Sequence, residues 1–138
     1  MSAPKTWELD VEVDQVRGWQ RPGFRRNGMT YTKPETRQAE QTIADAWKSH
    51  YGSAVAIEEG PVYVEVHVYR RMPGSRPKML LSEPDAYKPD IDNITKLVLD
   101  ALNGLAYTDD KQITAALAIK HDRTRRESEL IHIKVERL

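Results

Sequence analysis

The 138 residues carry 21 basic and 21 acidic side chains, no cysteine, and a formal net charge of zero. That length suits one domain with a proper core, and the missing cysteines exclude disulfides and thiolate metal sites, leaving oxygen or histidine to hold any metal. The neutral balance argues against a protein that coats nucleic acid through bulk charge, and the lack of a membrane-length apolar run or an apolar leader leads to the expectation of a cytoplasmic protein.

Residues Thr6 to Asp14 alternate strictly. Trp7, Leu9, Val11 and Val13 face one way, and Glu8, Asp10, Glu12 and Asp14 the other, predicting a half-buried strand whose acidic face points away from nucleic acid. Gln15 to Lys33 is irregular and basic, with Arg17, Arg21, Arg25 and Arg26, no acid, and turns at Pro22-Gly23 and Asn27-Gly28. Trp19, Phe24 and Tyr31 are interleaved there, a mixture that grips phosphates and stacks on bases; a solvated loop with anchoring aromatics is the other reading. Pro34 suits the first turn of a helix, and Ala39, Ile43, Ala46 and Trp47 form its apolar stripe to about Tyr51, with Trp47 a packing residue. Val62 to Tyr69 predicts a second strand, valines on one face and Tyr63, Glu65, His67 and Tyr69 on the other; His67 is read as a partly exposed strand histidine, with a metal ligand the other reading. Arg70 to Lys88 is then a long loop, and Arg70, Arg71, Arg76 and Lys78 in its first half are expected to contact phosphate.

The chemistry concentrates in KPDIDNITKLVLDALNGLAYTDDKQ, Lys88 to Gln112. Ile94, Leu97, Val98, Ala101, Leu102 and Leu105 recur at helical spacing, and Asn103-Gly104 stops the helix. Asp92, Lys96, Asp100 and Asn103 line its other side at steps of four, four and three. Asp90 and Asp92 stand at the entrance and Asp109-Asp110 beyond the exit. A chain that returns here brings the two acidic pairs together as an oxygen-rich site for a hard cation, with Mg²⁺ the best match and Mn²⁺ a substitute. Against this, a lone Asp before a helix is an N-cap and Asp-Asp in a loop is turn chemistry. Two acids where one cap suffices, and Lys96 one turn after Asp92, favour the site. The acids of these two pairs would hold the ion while Lys96 stabilises charge on a scissile phosphate.

Ile113, Ala115, Leu117 and Ile119 alternate as a third strand, Lys120 to Arg126 form a basic turn, and Glu129 to Arg137 a fourth strand with Ile131, Ile133 and Val135 inward. The order β-α-β-α-β-β predicts a single small α/β (α+β) domain: a mixed four-stranded sheet with two main helices, its last two strands an antiparallel hairpin. The residues alone reach metal-dependent phosphodiester cleavage. A different D-x-D phosphotransfer enzyme and a non-catalytic DNA-binding module both stay open.

KPDIDNITKLVLDALNG, Tyr107, TDDKQI and Lys120 together resemble the RusA family of Holliday-junction resolvases, closely from Pro89 to Lys120 and more weakly through Val68 to Pro73. The resemblance implies a bacterial or phage endodeoxyribonuclease, Mg²⁺-dependent and dimeric, acting on four-way DNA junctions. It also implies that Asp90, Asp92, Asp110 and Lys96 are the catalytic set, while Lys120, in the basic turn, is expected among the phosphate contacts. A C₂ homodimer fits independently, because resolving a junction needs two symmetric nicks and this chain offers one acidic cluster.

Overall fold

Strict alternation in the first strand is realised in the computed structural model, which describes residues 5–138. Strand β1 (Thr6–Val13) buries Trp7, Leu9 and Val11 and exposes Glu8, Asp10 and Glu12. The basic stretch holds a two-residue ribbon, β2 (Gly23–Phe24) paired with β3 (Thr30–Tyr31). Helix α1 (Pro34–Tyr51) starts on its proline and ends where Gly52, at φ 84°, bonds back to the Lys48 carbonyl at 2.8 Å. The Tyr51 hydroxyl then accepts from the Glu8 N–H at 2.9 Å and donates to the Glu8 carbonyl at 2.7 Å, fixing the helix end to β1.

After these come β4 (Val62–Tyr69), the short β5 (Ser82–Glu83), α2 (Ile91–Ala101), a 3₁₀ turn (Asp110–Gln112), β6 (Ile113–Lys120), the short β7 (Arg123–Thr124) and β8 (Glu129–Arg137). The main sheet runs β1-β8-β4-β6; β8 is antiparallel to both neighbours and β4 is parallel to β6. Every valine of β4 is buried, together with Ile131, Ile133 and Val135 of β8. These pack with Ile43 and Trp47 of α1 and Ile94, Leu97 and Val98 of α2 in one core. Both helices therefore cover one face, and the other carries Glu8, Asp10, Glu65, His67 and His132 into solvent. This is the mixed sheet and two-helix α+β domain expected. No helix among the described residues is long and apolar enough to cross a membrane.

One expectation is corrected. Strands β6 and β8 form no hairpin, because β4 lies between them. The β4-α2-β6 crossover makes β6 a parallel neighbour, and the returning β8 takes the opposite side of β4. The alternating apolar row of β6 is split between the two faces of the sheet. A register shift between Val62 and Tyr63 leaves Thr114 without a partner, so Ile113 opposes Val62 while Ala115, Leu117 and Ile119 oppose Tyr63, Glu65 and His67. Such a bulge moves the rest of a strand to the other face. Ala115, Leu117 and Ile119 thus lie on the open side of the sheet, and Leu117 is 43% exposed.

Candidate active site

Helix α2 buries Ile94, Leu97, Val98 and Ala101 against the sheet, which fixes the opposite row outward. Asp90 occupies the N-cap position in an extended conformation, yet its carboxylate makes no capping hydrogen bond. Asp92 accepts from the Asn93 N–H at 2.9 Å through one oxygen. The Asp90 side chain thus does not cap the helix, since capping means satisfying a first-turn N–H.

The return of the chain is built by Leu102 to Tyr107. Gly104, at φ 84°, donates its N–H to the Tyr107 carbonyl at 2.8 Å, and the buried Tyr107 hydroxyl donates to the Leu99 carbonyl of α2 at 2.6 Å. Burial and the nearby acids Asp110 and Asp100 hold that phenol far above its ordinary range. The two following acids then separate in role. Asp109 caps the 3₁₀ turn: its carboxylate accepts from the Lys111 N–H at 2.9 Å, and its own N–H donates to Gln112 Oε1 at 3.0 Å. Those bonds hold its carboxyl below the usual range. Asp110 is left free, and desolvation, then Asp109 and Asp100, push its carboxyl upward.

Asp110 shares a cleft of ≈ 490 Å³ with Asp92, Thr95, Lys96 and Asp100, floored by Ala118 of β6. Asp90 sits exposed two residues before Asp92 and does not line it. Among the described residues no three acids or histidines converge as a finished metal cage. Lys96 is not paired with Asp92; its ammonium lies 3.3 Å from Asp100 and 5.0 Å from the centre of the Trp19 ring. Glu40 of α1 is also near, its carboxyl raised by burial and then by Asp100. Sequence reasoning placed Asp100 on the right helix face without giving it a role, and it passed over Glu40. Trp19 reaches the site from 77 residues away in the chain, with no local pattern to announce it.

The basic residues behave differently from a phosphate-gripping loop. Arg70 donates to the fully buried carboxylate of Asp85 at 3.0 Å, and Lys120 lies 3.7 Å from the same oxygen. Lys120 also donates to the Tyr87 and Pro89 carbonyls, so it staples the segment leading into Asp90. Arg76 bonds Glu83 at 3.0 Å, and the buried Arg123 pairs with the same carboxylate. Arg71 donates to the Glu127 carbonyl at 2.7 Å while keeping an exposed surface. Lys78 is exposed, and no hydrogen bond or ion pair engages it among the described residues. On the open sheet face His67 lies 2.8 Å from Glu65 and 2.9 Å from His121, a strand histidine as expected.

The family profile of endodeoxyribonuclease RusA matches residues 15–136. The chain belongs to the RusA family. It is an endodeoxyribonuclease, a hydrolase acting on DNA, of a family that resolves Holliday junctions. The non-catalytic module and the other D-x-D chemistries give way to that membership. The chain is also similar to an uncharacterised protein, YqaN, of Bacillus subtilis (strain 168), 35% identical over 101 residues, covering 66% of this chain and 70% of the relative. The RusA match begins at Gln15, so it takes in the basic stretch and α1 as well as the Pro89–Lys120 core.

RusA nucleases are generally divalent-metal dependent. The cleft's chemistry fits such an ion: its donors are carboxylate oxygens, and desolvation, then the neighbouring acids, raise the Asp110 carboxyl. A full cage is not required, since Mg²⁺ typically binds one or two carboxylates plus waters and substrate phosphate.

Proposed function

We propose that this RusA protein resolves four-way DNA junctions by paired, symmetric, Mg²⁺-dependent nicks, acting as a homodimer. The observation that carries the reading is the cleft in which Asp92, Asp100, Asp110 and Lys96 meet. Asp92 and Asp110 would hold the ion, with Asp90 reaching it from the helix entrance; Mn²⁺ would substitute. Bound there, the ion supplies positive charge for the phosphate and an activated water.

The remaining work belongs to the protein. Hydrolysis forms a bond from water oxygen to phosphorus and breaks one bond from phosphorus to a sugar oxygen. Lys96 donates to the phosphate as charge builds on it, and Asp100, 3.3 Å away, keeps the ammonium oriented before DNA arrives. Lys78 and Arg71, which keep exposed surface, contact flanking phosphates and position the duplex without reading sequence. Arg70, Arg76 and Lys120 act chiefly by shaping the loop. Two active sites are needed for two nicks, and a C₂ dimer supplies them. The uncharged free edge of β6, from Thr114 to Ile119, is the surface best suited to self-pairing.

The test is cleavage of a labelled four-way junction with and without Mg²⁺. Asp92→Asn and Asp110→Asn should each abolish cutting and leave junction binding intact. Asp109→Asn, which removes only a cap, should lose less. Near-normal nicking by Asp92→Asn would refute the assignment.

A further inference from the structure

The β2–β3 hairpin is not absorbed by the site described above, although it is fastened to it. The Trp19 N–H donates to the Asn93 carbonyl of α2 at 2.8 Å. Gly18 lies so close that a Cβ there would stand 2.9 Å from the Pro89 Cβ and 3.0 Å from the Asn93 Cβ. The root of the hairpin is thus seated on the first turn of the catalytic helix, with the Trp19 ring beside Lys96.

The tip is ordered by its own bonds. Arg25 N–H donates to the Met29 carbonyl at 2.8 Å, Gly28 N–H to the Arg25 carbonyl at 2.9 Å, and Met29 N–H to Asn27 Oδ1 at 3.0 Å. Gly28 sits at φ 83°, a conformation open to glycine. The Tyr31 ring covers Gly23 and lies under the Arg25 guanidinium, 5.5 Å away. This stiffened ribbon nevertheless presents Phe24 to solvent at 78% exposure and Met29 at 64%. Arg21, Arg25 and Arg26 flank them, and no acid occurs from Gln15 to Pro34.

We propose that this hairpin is a base-contacting wedge, with Phe24 stacking on a nucleobase exposed at the crossover of the four-way junction. The proposal rests on the junction-resolving reading and adds the residue that senses the branch. An exposed phenyl ring has no group to offer a phosphate, but any nucleobase presents it a π-face. Arginines on both sides supply contacts to the sugar-phosphate backbone on either side of such a base. A second copy of the chain is a poor occupant, since its own hairpin would bring the same cationic cluster to the contact. A base held on Phe24 would fix its strand relative to Lys96, because tip and helix are joined through Trp19.

The test uses the full-length protein and a junction carrying 5-iododeoxyuridine at the crossover, beside an equivalent linear duplex, without divalent ion. Illumination should crosslink the wild type within the peptide containing Phe24. Phe24→Ala should bind the junction about tenfold more weakly, the order of one lost stacking contact, with duplex binding unchanged. Phe24→Trp should bind within about threefold of wild type, as any aromatic platform serves stacking. Phe24→Ala binding as tightly as wild type, or crosslinks mapping outside the hairpin, would overturn the inference while leaving the nuclease reading intact. Loss of self-association in Phe24→Ala with junction contacts undisturbed would assign the tip to a protein interface and overturn it as well. A wild type that bound junction and duplex alike would instead remove the junction reading itself.

Discussion

Lys120→Met separates two roles for one lysine. As a phosphate contact, Lys120 would matter to DNA and not to folding. The structure instead puts its ammonium, in a side chain 11% exposed, beside the fully buried Asp85 carboxylate and under the Tyr87 and Pro89 carbonyls. Breaking a buried ion pair by removing one partner costs about 3–5 kcal/mol. Arg70 remains on the same Asp85 oxygen at 3.0 Å, so the cost falls at or below the floor of that range, about 2–3 kcal/mol. For a domain of this size each kcal/mol moves Tm by about 3–5 °C, so the variant should melt roughly 6–15 °C lower. Cleavage should slow because the backbone entering Asp90 loses its staple, while junction affinity and its salt dependence stay near wild type. Thermal melts and salt-titrated binding check both halves. An unchanged Tm, with the slope of log K against log salt reduced by about one, would refute the reasoning and return Lys120 to the DNA surface.

Lys96→Met should cut the cleavage rate at least about a hundredfold, as loss of one transition-state donor does. A helical surface pair with Asp100 is worth only about 0.3–0.5 kcal/mol, so its melting should scarcely change; a rate within a few-fold of wild type would leave Lys96 only that pair. Asp110 has its carboxyl raised on folding by burial and by the acids around it. A raised carboxyl contributes stability that is full at low pH and is lost as pH rises through the raised value. Metal-free Asp110→Asn should therefore melt higher than wild type at neutral pH, with the gain vanishing below the ordinary carboxylate range; a gain independent of pH would contradict this.

Local periodicity made most of the fold legible. Alternation marked the strands later seen as β1, β4 and β8, and spacing of three and four marked both helices, because these patterns report burial within one element. Pairing between distant segments left no such trace. Nothing near residue 130 says that β8 inserts between β1 and β4, and one unpartnered residue, Thr114, was enough to reverse the faces of β6. The acidic row on α2 was readable from its steps of four, whereas Asp100's hold on Lys96 and the place of Trp19 required coordinates. Charge was legible only in part. Arginines clustered in sequence suggested phosphate, but Glu83 and Asp85 in the same loop take up Arg70, Arg76 and Arg123. An acid in the second half of a loop is as able to fold it as a base in the first half is to bind DNA.

The position of β8 has a consequence in time. Strand β1 is the first of the described elements, and its ladder partner is β8, the last of them. On the ribosome, β1 must wait for β8 before it can pair, while α1, β4, α2 and β6 can already associate. Pairings between such distant segments slow folding, since loop closure precedes the reward of contact. A chain lacking β8 would therefore keep its acidic residues and leave its sheet unclosed. Closure of the sheet beneath the acidic helix is thus tied to β8 through topology rather than through any residue of the active site.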